Sequence, residues 1–344
     1  MNHTEFFDSI KNGEAARCYV LEGEEEFVKR SALEALKKKL LSGGVEAMND
    51  SRLTDPDADA LIAANETLPF MAEKRVVTVL ESGLLSGKSG NYDEDKCVES
   101  LRAYLDNLPE TSCLVFFVRG KADARRKLYQ TLKKKAVVVS FDRLSDRELT
   151  QWIAKKCKSL GKTISQDACA RLFFSVGRDL TLLNGEVEKL CAYAGDGPEV
   201  TSDDIAAVCI KTVEYKVFDM ANALLDGDGK RAFSLLNNIL RDGEDRLFLL
   251  SLLGRQCRQL LGAARLSANR QPPAAIAQQI GIPPFAVQKT LAQARRYGAE
   301  TLARLTRECT DTEFLIISGL MADEGALEKM MLTVLECRES GKNG

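Results

Sequence analysis

The 344-residue sequence holds a single histidine, His3. A Ser-His-Asp or Cys-His catalytic arrangement and every His-containing metal site are therefore set aside. Ten cysteines run from Cys18 to Cys337 without one C-x-x-C pair, which excludes a clustered zinc site and points to reduced, mostly buried thiols. No uncharged run approaches the roughly 18 to 20 residues needed to span a bilayer, and the first residues, Met1 to Phe7, have neither a basic nor an apolar leader region. A cytoplasmic protein without a membrane segment is expected. Excess charge of either sign is missing too: 48 Lys and Arg face 50 Asp and Glu, so no protein-wide positive field draws the chain onto nucleic acid.

Phosphate-loop glycines are also missing. A phosphate cradle needs G-x-x-x-x-G-K-[ST], whose backbone N–H groups converge on the phosphates. After the first apolar run the chain reads Leu21-Glu22-Gly23-Glu24-Glu25-Glu26, with three carboxylates that repel a polyphosphate and suit the positive end of a helix. Gly83-Leu84-Leu85-Ser86-Gly87-Lys88-Ser89 has its first glycine one residue too close, and Gly90, Asn91, Asp93, Glu94 and Asp95 beyond it read as a solvated loop. His3 is placed in a mobile N-terminal stretch. No catalytic constellation emerges, and no intrinsic catalytic site is expected.

With 45% hydrophobic and 28% charged residues the chain is an ordinary globular one, long enough for two or three domains. Up to about residue 143, helical stretches alternate with near-continuous apolar runs at 18–21, 75–80, 113–118 and 136–139, with Met48 to Leu53 as a candidate fifth. Such runs belong to strands buried on both faces, as in a parallel sheet covered by helices. Beyond Phe141 the strand signal stops and helical periodicity continues to the end. Ser145 with Glu148 reads as a capping box opening a helix, and Thr201-Ser202-Asp203-Asp204 as another helix start. Gly195-Asp196-Gly197-Pro198, Gly227-Asp228-Gly229, Gln271-Pro272-Pro273 and Gly281-Ile282-Pro283-Pro284 interrupt the helices. Basic clusters at Lys37-Lys38-Lys39, Arg125-Arg126-Lys127 and Lys133-Lys134-Lys135 are solvated faces or local phosphate contacts.

In Glu66-Thr67-Leu68-Pro69-Phe70-Met71-Ala72-Glu73-Lys74 the local rules disagree. Pro69 discourages helix through Leu68, yet Leu68, Phe70 and Met71 form an apolar cluster where a connection should be polar. Either these side chains enter the core of the first domain, or they are exposed anchors for a partner.

The order and spacing of several segments resemble the delta subunit of the bacterial DNA polymerase III clamp loader. They are Tyr19 to Glu25, Leu68 to Val77, Phe218 to Leu224, Ala232 to Leu240 with Gly243-Glu244, Leu249 to Gln256, Ile276 to Lys289 and Gln293 to Arg295. The resemblance implies an AAA+-like α/β domain without a functional phosphate loop over residues 1–143, a small helical lid-like domain over 144–212 and a helical collar over 213–344. It implies a subunit that binds the beta sliding clamp and opens it for loading onto primed DNA. The clamp-binding tip would be Leu68, Pro69, Phe70 and Met71, with Met71 standing where the family often has an aromatic. No cofactor is implied for this chain, ATP being bound by partner subunits; the collar would join gamma/tau and delta-prime. The competing readings are an active AAA+ ATPase and a helical DNA-binding protein.

Overall fold

The computed structural model describes residues 1–42, 45–87 and 92–340, so Lys88, Ser89, Gly90 and Asn91 of the glycine-containing stretch lie outside the described residues. The chain packs into two compact units, Met1–Ser145 and Asp146–Gly344. The boundary falls two residues beyond the composition shift.

The first unit runs α1 (His3–Asn12), β1 (Cys18–Glu22), α2 (Glu26–Leu40), α3 (Glu46–Asn49), β2 (Asp50–Thr54), α4 (Ala58–Glu66), β3 (Arg75–Leu80), α5 (Gly83–Ser86), α6 (Glu94–Tyr104), β4 (Ser112–Phe117), α7 (Lys127–Lys135) and β5 (Val137–Ser140). All five strands are parallel, in the order β2-β3-β4-β1-β5. Central strands β1, β3 and β4 are buried nearly throughout, which is why their sequences are unbroken apolar runs; the edge strands β2 and β5 are only partly buried. One sheet face packs Val20, Val77, Leu114 and Phe116 against Leu61 of α4, Leu101 of α6 and Leu128 of α7. On β1's alternate residue, Tyr19 meets Phe6 of α1 edge to face, and Phe6 in turn meets Phe141.

Three expectations change here. His3 opens a helix rather than a mobile tail: Asn2 and Glu5 form a capping box, the Met1 ammonium donates to the Val138 carbonyl at 2.8 Å, and Phe6 is fully buried. Met48 and Asn49, read as strand, belong to the single-turn α3, with β2 starting at Asp50; four residues are too few to show a helical period. Asp93, Glu94 and Asp95 are not a loop, since Asp93 caps α6 by accepting the Lys96 N–H at 3.2 Å.

The second unit comprises α8 (Asp146–Ser159), β6 (Thr163–Ile164), α9 (Gln166–Val176), α10 (Leu180–Tyr193), β7 (Glu199–Val200), α11 (Ser202–Val208), α12 (Val213–Asp226), α13 (Gly229–Arg241), α14 (Arg246–Ala268), α15 (Pro273–Ile280), a 3₁₀ turn (Pro284–Ala286), α16 (Val287–Tyr297), α17 (Ala299–Ile317) and α18 (Ala326–Ser340). The parallel pair β6-β7 was not foreseen, two residues being too short for a strand pattern. The helix start read at Thr201 is present, and Thr201 caps α11 in a capping box with Asp204. Residues of α12 to α18 share one apolar core around the 23-residue α14, whose Leu249, Leu250, Leu253, Cys257 and Leu260 are buried in it. Among the described residues no helix is long and apolar enough to cross a membrane.

Candidate functional site

The connection from α4 to β3 is anchored at both ends. Asn65, buried at the end of α4, donates to the Tyr104 hydroxyl at 2.9 Å and accepts from Ser112 Oγ at 2.6 Å. Arg75, buried at the start of β3, donates to the Thr67 carbonyl at 2.9 Å and to Ser51 Oγ at 2.7 Å. Between these anchors the fully buried Asn49 side chain holds the Phe70 backbone from both sides: Phe70 N–H donates to Oδ1 at 2.7 Å, and Nδ2 donates to the Phe70 carbonyl at 2.9 Å. The next residue, Met71, takes φ +49, a left-handed conformation that costs a non-glycine residue about 1 kcal/mol or more.

This framework fixes the backbone and leaves the side chains outside. Leu68 is 76% exposed, Phe70 48% and Met71 76%, while Pro69 is half-buried. The alternative that they fill the core of the first domain is thereby corrected: the apolar cluster that the sheet forms with α4, α6 and α7 includes none of the three. The two bonds to Phe70 tie α3 to the tip, Asn49 Nδ2 also donates locally to the Val45 carbonyl at 3.2 Å, and this short segment exposes two apolar side chains of its own, Val45 and Met48. Sequence reading missed both because the link between Asn49 and Phe70 spans 21 residues.

The β1–α2 turn closes on the protein itself. Gly23 N–H donates to the Gly120 carbonyl at 2.7 Å and Glu25 N–H to the Phe141 carbonyl at 2.9 Å, the backbone groups a phosphate loop would aim at a phosphate. Gly23 sits at φ +121, with Phe141 backbone 2.2 Å from where a Cβ would be, so no other residue fits. From beneath, the fully buried Lys29 ammonium donates to the Gly23 carbonyl at 2.9 Å, the Val118 carbonyl at 2.7 Å and Glu26 Oε1 at 2.6 Å, and lies 4.9 Å from the centre of the Phe117 ring. Burial holds its pKa below the ordinary lysine value, against the opposing pull of Glu26.

The basic clusters are largely committed to intramolecular partners. Lys37 is buried and 3.0 Å from Asp50, Lys39 donates to the Ile10 and Gly13 carbonyls, Arg126 pairs with Glu94 at 2.9 Å and Lys127 with Asp95 at 2.8 Å. Among the described residues no group of His, Cys, Asp and Glu could hold a metal ion.

Comparison with known proteins adds the decisive observation. The family model described as the DNA polymerase III delta subunit matches residues 19–142, and the model for the C-terminal domain of the same subunit matches residues 214–334. The chain belongs to the DNA polymerase III delta subunit family. A third model, described as a middle domain, matches residues 145–207. The chain is 25% identical to the DNA polymerase III subunit delta of Bacillus subtilis, over 96% of each chain. It is 26% identical to the probable delta subunit of Aquifex aeolicus, over 77% of this chain and 76% of that one, and 22% identical to the Escherichia coli delta subunit, over 73% and 72%. A solved structure of the Bacillus subtilis DNA clamp loader delta protein superposes with a TM-score of 0.55 at 24% identity, covering 97% of this chain and 99% of that one. Within the delta family frame, the exposed tip follows the degenerate first turn and belongs to the AAA+-like unit.

Proposed function

We propose that this clamp-loader delta subunit binds the sliding clamp through Leu68, Pro69, Phe70 and Met71, and opens it so that it can be loaded onto primed DNA. One observation carries the reading: the tip backbone is held by buried Asn49, so two or three apolar side chains stand in solvent at no further ordering cost to the backbone. Burying a Phe or a Met is worth roughly 1.5 to 3 kcal/mol, so this tip suffices for a useful affinity in a preformed pocket. Opening then needs no bond chemistry. A subunit that binds the strained, open ring better than the closed one shifts that equilibrium by its differential affinity.

Three domains are proposed, with the partition at 143/144 and 212/213, and the last as the collar that joins the other loader subunits, gamma/tau and delta-prime. The protein works in the cytoplasm and leaves ATP to those partners. The committed N–H groups of Gly23 and Glu25 and the buried Lys29 support that last reading.

The test is titration calorimetry of the purified chain with its cognate clamp, comparing wild type with a Phe70→Ala, Met71→Ala double variant. Losing both anchors should weaken binding at least about 100-fold. Absence of binding by the folded wild type would end the reading.

A further inference from the structure

The single-turn α3 inverts the ordinary pattern of a helix on a core. Val45 at its start is 47% exposed and Met48 58%, whereas the polar side chain of Asn49 is fully buried. Two apolar side chains in solvent within four residues need a reason, and their position supplies one.

Asn49 Nδ2 reaches the Val45 carbonyl at 3.2 Å and the Phe70 carbonyl at 2.9 Å, so one nitrogen fixes how far α3 stands from the tip. The Val45 carbonyl also accepts the Met48 N–H at 3.0 Å, which closes the turn. At its other end α3 runs into Asp50, whose carboxylate is 3.0 Å from the buried Lys37 ammonium of α2. The segment is therefore pinned to the tip and to α2 together, and its exposed side chains stand beside Leu68, Phe70 and Met71 as parts of one surface.

Composition narrows what that surface receives. Over residues 45–49 and 68–72 the only charged side chain is Glu46. With no Lys or Arg in either segment, neither offers a cation to the phosphates of nucleic acid or of an anionic membrane. An apolar protein face is the partner that fits. Phe70 brings a rigid ring to it, and Met48 and Met71 bring flexible thioethers that adapt to the shape of what they meet. A clamp that takes up Phe70 and Met71 is thereby brought against α3, because the Asn49 clasp ties the two segments into one unit. We propose that Val45 and Met48 are further clamp-contacting residues, so that the clamp meets two segments of this chain and not the tip alone. This rests on the clamp-binding reading of the tip and extends it to α3.

Two measurements on the full-length chain with its cognate clamp test the extension. Dilute hydrogen peroxide passes one oxygen to an exposed thioether, giving the sulfoxide and water, and peptide mass spectrometry reads each methionine separately. Saturating clamp should slow the oxidation of Met48 at least about tenfold, together with that of Met71. A Val45→Ser, Met48→Ser variant, which leaves the tip untouched, should keep the wild-type urea midpoint and bind the clamp about tenfold more weakly by titration calorimetry. Should that variant fail to fold, Met48 protection in the wild type decides alone. Protection of Met71 without Met48 would overturn the extension and leave the tip reading in place, as would wild-type affinity in a folded serine variant. A self-association of wild type that the serine substitutions abolish would also overturn it, because the occupant would then be a second copy. A folded wild type that does not bind the clamp, or a bound one whose Met71 oxidises at the free rate, would remove the tip reading and this one with it.

Discussion

Met71, at a positive φ with its side chain in solvent, and Lys29, a charge with no exposure, both run against the ordinary preference of their residue types. Met71 adopts φ +49 with its side chain in solvent, so Met71→Gly should relieve backbone strain and remove an anchor together. Unfolding in urea should show stability within about 1 kcal/mol of wild type, while clamp affinity falls at least about tenfold; a loss of 2 to 5 kcal/mol would instead mean a packed core methionine. Lys29→Met keeps the stem and removes three hydrogen bonds, leaving the Gly23 and Val118 carbonyls without their ammonium donor. The expected cost is about 1 to 3 kcal/mol by urea denaturation. Because burial lowers the folded pKa of Lys29, the unfolded chain binds more protons in the window between that lowered value and 10.5. Wild-type stability, measured against Lys29→Met, should therefore rise with pH through that window.

At the scale of elements, the tip is a composite of two segments far apart in sequence. The α4–β3 connection supplies the apolar side chains and α3 supplies the clasp, through one buried amide that bonds Phe70 twice and Val45 once. Asn49→Ala removes all three bonds and takes from the Phe70 N–H and carbonyl their side-chain partner, so a stability loss of about 1 to 3 kcal/mol is expected by thermal or urea unfolding. Clamp affinity should fall although no anchor has been changed, because the freed loop must be ordered again on binding. The connection was legible as an anomaly, since a Pro and three large apolar residues do not make an ordinary loop. Its exposure was not legible, because the α4, α6 and α7 side chains that already cover the sheet come from other parts of the chain.

For the whole molecule, residues 1–145 form a unit with its own apolar core on a five-stranded sheet. Expressed alone, this fragment should unfold cooperatively by circular dichroism and keep clamp affinity within about tenfold of the full chain. All ten cysteines are free and buried. Burial pushes Cys113, Cys157 and Cys209 up to about 12, far from the thiolate range in which alkylating reagents act. At about pH 8 the native protein should react slowly with a chromogenic disulfide, and denaturant should release ten thiols.

By itself the sequence determined the parallel α/β unit, the helical remainder and the family. Buried central strands must be apolar on both faces, and a chain that must break its helices does so with Gly and Pro, so these features are written locally. It also contained the rules violated at Leu68 to Met71. Only the tertiary structure decided which way those side chains face, that Met48 and Asn49 belong to a helical turn clasping the tip, and that Lys37 and Lys39 serve internal partners. Each of those outcomes depends on a neighbour brought in from elsewhere in the chain: Phe70 for Asn49, Asp50 for Lys37, the Ile10 carbonyl for Lys39. A periodic pattern records which residues prefer burial, and packing alone assigns the partners that satisfy or leave them exposed.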